Sequence, residues 1–146
     1  MNLEKIVKEI VKNLPESDLA KNSLSFNEYI DSYRTIALQL PRGSGKTKTL
    51  LNMYSEMSSL LFVHNLCEMP KGCENINRTG IYKFSDLGDY FFKGVNIGNN
   101  LKYQCILCDE YRSMSGEQEI LLYEYITYLN SRNMLTKDFF ILSLTT

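Results

Sequence analysis

Two groups of residues in this chain have the types and spacing to do chemistry. One is Arg42-Gly43-Ser44-Gly45-Lys46-Thr47; the other is the adjacent acid pair Asp109-Glu110. A polyphosphate needs several backbone N–H groups pointing inward, and glycine lets the chain curl tightly enough to supply them. Lys46 would reach the β- and γ-phosphates of a nucleotide, and the Thr47 hydroxyl would bind Mg²⁺. Arg42, Gly43, Ser44, Gly45, Lys46, Thr47 and Lys48 are therefore the expected nucleotide-binding residues. The acids suit the other half of the reaction. Asp109 would hold the Mg²⁺ hydration shell, and Glu110 would position or deprotonate an attacking water.

Such groups need rigid elements behind them. Thr35 to Leu40 is an apolar run that reads as a buried parallel strand. Lys48 to Ser58 contains no Gly or Pro and reads as a helix. Strand, Gly-rich turn and helix in that order make the layout of a phosphate-binding P-loop. The helix N-terminus would add partial positive charge and free N–H donors. Pro41 favours an extended Leu40, which fits a strand ending there. The usual G-x-x-x-x-G-K-[ST] pattern has Gly where this chain has Leu40, while the Gly43-Ser44-Gly45-Lys46-Thr47 tail is intact. The bland alternative is a Gly-Ser surface turn followed by a basic helix.

Tyr103 to Cys108 is a second apolar run, and it leads straight into Asp109-Glu110. A strand buried on both faces gains nothing in packing by ending in two acids. At the C-terminal end of a parallel sheet they would stand beside the phosphate loop. Phe139 to Leu144 reads as a fourth strand, ending in Thr145-Thr146. Hydroxyls at such a tip, Ser143 and Thr145, could sense the γ-phosphate or the water.

The other elements are plainer. Residues 1–12 carry Leu3, Ile6, Val7, Ile10 and Val11 at the spacing of an amphipathic helix. Asn13 to Lys21 reads as a polar link, and Asn22 to Tyr33 as a short helix or an irregular approach to the first strand. Leu60 to His64 reads as a strand one β-α-β crossover away from the first. Residues 65–102 are broken by Pro and Gly. Within them Ile81–Phe84 and Tyr90–Lys93 fit short strands, and Phe84–Leu87 also fits the start of a small helix. Gly116 to Arg132 reads as a helix with a stripe of Leu122, Ile126 and Leu129.

Composition sets bounds. The 146 residues suit one domain, with 1–34 as an N-terminal helical extension and 35–146 as a nucleotide-binding core. The hydrophobic share of 44% and charged share of 23% are ordinary for a globular chain. A net charge of −1 gives no global electrostatic case for nucleic acid, though a local patch is compatible with it. No apolar run approaches a membrane span, and residues 1–13 do not read as a hydrophobic leader. These points lead to an expectation of a cytoplasmic protein with no membrane partner. Cys105 and Cys108 would point to opposite faces of one strand, so a shared metal there is not expected. His64, Cys67 and Cys73 would make a partial zinc set with no evident fourth ligand; reduced thiols are the simpler reading.

The ordered set of Gly-Lys-Thr loop, Asp-Glu strand and Ser/Thr-tipped strand resembles the P-loop ATPases that carry a catalytic glutamate after the magnesium aspartate. Within that group it is most similar to the ATPase domain of phage large terminase subunits, the DNA-packaging motors. Arg42-Gly43-Ser44-Gly45-Lys46-Thr47 resembles their loop, which tolerates loss of the first Gly. Phe92-Lys93-Gly94, then Leu101-Lys102 before the acid strand, and Leu144-Thr145-Thr146 at the end are also similar. The resemblance implies an α/β, three-layer P-loop NTPase fold, with a mainly parallel central sheet and helices on both faces. It also implies a strand inserted between the two motif strands.

The same resemblance implies ATP and Mg²⁺ as cofactors, and Arg42, Lys46 and Glu110 as catalytic groups. Arg42 would be an internal arginine finger on the γ-phosphate, and Thr145 a coupling residue. It implies double-stranded DNA as a partner, and a second copy or partner subunit completing the site. A complete motor sheet has a strand outside the P-loop strand, and here none is evident, so a truncated core is one expectation. No nuclease segment is evident either, and DNA cutting is not expected. Two other functions compete. One is a nucleotide-binding assembly or regulatory module with little turnover. The other is a small nucleotide kinase, against which the scattered Arg78, Arg112 and Arg132 argue.

Overall fold

The computed structural model describes residues 2–64, 76, 78–88 and 102–146. Three helices come first. α1 (Leu3–Lys12) is capped by Asn2, whose side chain accepts from the Lys5 N–H at 3.2 Å. α2 (Asp18–Ser23) and α3 (Phe26–Tyr33) are capped in the same way by the hydroxyls of Ser17 and Ser25. Each cap satisfies a donor that the helix itself leaves open. The polar link expected over 13–21 is therefore shorter, because Ser17 starts a helix inside it.

Five strands follow: β1 (Thr35–Gln39), β2 (Ser59–Val63), β3 (Ile81–Lys83), β4 (Tyr103–Asp109) and β5 (Leu135–Thr145). Helix α4 (Lys46–Glu56) joins β1 to β2, and α5 (Gly116–Ser131) joins β4 to β5. All pairings are parallel, in the spatial order β1-β5-β4-β2-β3. The expected count of four strands is corrected to five, since Ile81–Lys83 adds to the far edge beside β2. Phe84 then opens a 3-10 turn, so both readings of that stretch are realised in succession. Tyr90–Lys93 lies outside the described residues.

Alternation along the strands explains the layers. Leu60, Phe62, Ile106, Cys108 and Ile141 face one way, against α2, α3 and α5. Leu61, Val63, Cys105, Leu107 and Leu142 face the other way, against α1 and α4. The sheet is thus covered by helices on both faces, and the central strands read as continuous apolar runs for that reason. Cys105 and Cys108 do lie on opposite faces. Burial of both thiols pushes their pKa up to about 12.

β1 corrects one expectation. It is the edge strand that the missing outer neighbour implies, but instead of being a buried strand it is buried on one face only: Ile36 is buried, while Ala37 and Gln39 are exposed. Arg34, just before it, is 5% exposed and acts as a clamp. Its guanidinium donates to the carbonyls of Phe139 (3.1 Å), Asp138 (2.7 Å), Leu14 (3.3 Å) and Pro15 (3.4 Å). This one side chain thus ties the link after α1 to the start of β5, beside the apolar contacts that seat the N-terminal helices. Among the described residues no helix is long and apolar enough to cross a membrane.

Candidate phosphate and water-activating site

The glycine loop leaves β1 at Leu40, whose N–H donates to the Thr145 carbonyl at 2.7 Å. It turns on Gly43 (φ 79°) and Gly45 (φ 83°), both in the left-handed region that favours glycine. Gly45 caps α4, and Lys46 and Thr47 form its first turn. The N–H groups of that turn have no partner within the helix, so they are available to an anion. A cavity of about 500 Å³ opens over them. Its wall runs from Pro41 to Lys48 and is closed by Glu110 and Thr146.

Parallel pairing brings the acids here. β4 ends beside β5, with Asp109 paired to Leu144. The Thr47 hydroxyl donates to Asp109 Oδ2 at 2.8 Å. The Lys46 ammonium lies 3.5 Å from Asp109 Oδ1 and 2.5 Å from Glu110 Oε1. Burial alone works against charge on Lys46, but Glu110 and Asp109 outweigh it and hold its pKa above the usual lysine value. Burial likewise works against charge on Glu110. Hydrogen bonds from Lys46, Thr146 and Thr145 prevail and hold its carboxyl below the usual range.

Glu110 itself sits at φ 56°, an uncommon conformation for a residue with a side chain. Three hydrogen bonds fix it there. Its N–H donates to the Leu144 carbonyl at 2.8 Å, and its carbonyl accepts from the Ser113 N–H (2.9 Å) and hydroxyl (2.7 Å). Backbone held in a costly region by its surroundings is a mark of sites where a side chain must be aimed.

The donor set fits Mg²⁺. Asp109 is 8% exposed, and its Oδ1 accepts no hydrogen bond, with only the Lys46 ammonium near it at 3.5 Å. Its other oxygen already holds the Thr47 hydroxyl. Among the described residues no group of three or more His, Cys, Asp or Glu side chains could cage an ion. Mg²⁺ takes one or two protein oxygens and completes its shell with phosphate and water.

Most expected site residues converge. Arg42, Gly43, Ser44, Gly45, Lys46, Thr47, Lys48 and Glu110 all line the cavity, and Asp109 touches it through Lys46 and Thr47. Arg42 is exposed at the mouth. Thr145 donates to Glu110 Oε2 at 3.1 Å. Ser143 stands apart from the cavity. It pairs with Ala37 and Cys108 within the sheet. Cys67 and Cys73 lie outside the described residues.

Sequence reasoning named Thr146 and Arg112 but gave neither a place among the site residues. The Thr146 hydroxyl donates to both Glu110 oxygens, at 3.1 and 3.3 Å. Neighbours in a strand point to opposite faces, so the pattern admits only one of the two threonines. β5 ends at Thr145, however, and Thr146 has left the pleat. Arg112 donates to Gln39 Oε1 at 2.9 Å, tying the turn after Glu110 to the tip of β1. Nothing in the spacing of those two residues signals that bond. Comparison with protein-family models, characterised proteins and solved structures found no match.

Proposed function

We propose that this chain is a P-loop ATPase that binds Mg-ATP in the glycine-loop cavity and hydrolyses its γ-phosphate. The observation that carries the reading is the convergence of three groups on one cavity. They are a left-handed glycine loop capping a helix, a Thr47–Asp109 hydrogen bond, and Glu110 aimed at the same opening. A cavity of about 500 Å³ lies within the usual range for small-ligand sites. The strand order, with β5 between β1 and β4, also accords with the resemblance to glutamate-bearing P-loop ATPases.

In this reading the loop N–H groups and the start of α4 bind the phosphates. Lys46 moves from Glu110 to the β- and γ-oxygens, and Arg42 reaches the γ-phosphate from the mouth. Thr47 and Asp109 would hold Mg²⁺, which when bound neutralises charge on the phosphate oxygens. Glu110, freed from Lys46, takes a proton from water as its oxygen bonds to γ-phosphorus and the bond to ADP breaks. Thr145 and Thr146 keep the carboxylate oriented. The work done with that hydrolysis is proposed to be DNA movement of the phage-packaging kind, in a homo-oligomer or with a partner subunit.

Phosphate release from Mg-ATP, with and without double-stranded DNA, tests this. Wild-type turnover that falls at least about a hundredfold in Glu110→Gln is expected. Stimulation by DNA favours the motor. Absence of turnover with ATP binding retained favours the second reading, an assembly module. The observation behind that reading is that Glu110 is held at once by Lys46, Thr145 and Thr146.

A further inference from the structure

A second cavity, of about 340 Å³, lies at the opposite end of β5. Between Tyr103 and Cys105 β4 advances two residues, while β5 advances five, from Leu135 to Phe140. The extra residues bulge away from β4 and are pinned by Arg34 at the carbonyls of Asp138 and Phe139. Thr136, Lys137 and Phe139 from this bulge face Lys21 of α2 and Phe26, Tyr29 and Ile30 of α3 across the cavity. Bulges are features that re-aim side chains, and they are frequent at binding sites.

Its chemistry is unlike that of the core around it. Tyr29 is 4% exposed, yet its hydroxyl has no hydrogen-bond partner. The Thr136 hydroxyl is also buried without one. Leaving such groups unpaired costs about 1–3 kcal/mol each, so they call for a partner. Lys21 stands with its ammonium 5.4 Å from the centre of the Tyr29 ring, and Lys137 is exposed at the rim. Neither lysine has an ion-pair partner among the described residues, and no acid lines the cavity. The rest of the wall is largely apolar, formed by Phe26, Ile30, Leu135 and Phe139.

We propose that this cavity is a second ligand site, for a small monocarboxylate with a short apolar body. Lys21 and Lys137 would supply the counter-charge, the Tyr29 and Thr136 hydroxyls would donate to the carboxylate, and the aromatic and aliphatic wall would hold the body. A cationic ligand is disfavoured by the two lysines. A bare anion leaves the apolar wall unused. The volume is at the small end of ligand pockets, which limits the body to a few carbons or one ring. The site lies roughly 20 Å along β5 from Thr145, since β4 spans the same stretch in six residue steps, and it shares no lining residue with the glycine-loop cavity.

The test is titration of the ¹⁵N-labelled full chain with hexanoate, with 1-hexanol and inorganic phosphate as comparison probes, followed by amide NMR shifts. Saturable shifts confined to residues 20–30 and 134–139 are expected with hexanoate. Hexanol and phosphate should bind at least about tenfold more weakly. Lys21→Ala with Lys137→Ala should weaken hexanoate at least about tenfold, and Tyr29→Phe severalfold. Absence of saturable shifts, hexanol binding as well as hexanoate, or phosphate binding as well as hexanoate would each overturn the proposal. So would an unchanged hexanoate affinity in the double lysine variant, which removes one half-buried and one exposed cation and keeps the test open if Tyr29→Phe folds poorly.

Discussion

The Lys46 ammonium lies 2.5 Å from Glu110 Oε1 and 3.5 Å from Asp109 Oδ1, so one cation bridges the two carboxylates. An incoming phosphate must compete with both for it. Glu110→Gln removes the stronger competitor and leaves the shape intact. ATP and ADP should bind this variant at least as tightly as wild type, by calorimetry, while hydrolysis is lost. Weaker binding in Glu110→Gln would mean that the carboxylate helps to hold nucleotide, against the proposed roles.

The same pair has a pH signature. Burial disfavours both charges, but pairing holds Glu110 below its usual range and Lys46 above its own. The stabilisation from Glu110 is complete above the ordinary carboxylate pKa of about 4.3 and is lost as pH falls through the lowered value. That from Lys46 is complete below about 10.4 and is lost as pH rises through the raised value. The difference in urea midpoint between wild type and Glu110→Gln should therefore be steady from about pH 5 to pH 10 and shrink outside that window. A difference that stays constant down to about pH 2 would show that the pair contributes nothing to stability.

Gly43 and Gly45 separate folding from binding. A Cβ at either position meets no atom within 4 Å, so Gly→Ala costs only the left-handed backbone penalty. That penalty is about 1–2 kcal/mol per residue. A Cβ at Gly45 would, however, stand where phosphate must approach the backbone. Gly45→Ala should lower stability by about that amount in chemical unfolding, and should weaken ATP binding by more than the same energy, roughly tenfold or beyond. Equal losses in both would mean that the loop only caps the helix.

Much of this arrangement was legible in the residues because its signals are local. Gly43-Ser44-Gly45-Lys46-Thr47 lies between a strand and a helix, and Asp109-Glu110 ends an apolar run; parallel pairing then leaves little choice but to bring them together. What escaped is non-local. The one-sided burial of β1 depends on its place at the edge, which its apolar run does not disclose. Ile81–Lys83 is only three residues long, too short for alternation to declare it. The start of β5 at Leu135, ahead of the apolar run at Phe139, rests on a pairing with Tyr103 across a bulge. The second cavity was illegible for the same reason: its residues come from α2, α3, α5 and β5 and share no spacing.

Arg34 gives a stability prediction. It is buried, and its fork serves four carbonyls from two distant segments. Arg34→Ala leaves those carbonyls without their donor, and a loss of about 2–4 kcal/mol is expected in urea unfolding. Lysine keeps the charge but not the planar fork, so Arg34→Lys should recover less than half of that. A loss under about 0.5 kcal/mol in Arg34→Ala would show that the N-terminal helices are held without its help.

Thr145 offers the last and most specific test, because it is 1% exposed and its hydroxyl reaches Glu110 Oε2 at 3.1 Å. Valine matches its shape but lacks the donor. Thr145→Val therefore removes one of the hydrogen bonds that lower the Glu110 pKa and leaves those from Lys46 and Thr146 in place. If Glu110 is the base, the acidic limb of the turnover profile must move to higher pH, while turnover on the plateau changes little. Because Thr146 remains, the move should be smaller than that of Thr145→Val with Thr146→Ala. A plateau that falls with no movement of the limb would assign Thr145 to transmitting the reaction along β5 instead of tuning the carboxylate. A limb that moves without loss of the plateau would assign it to Glu110 alone.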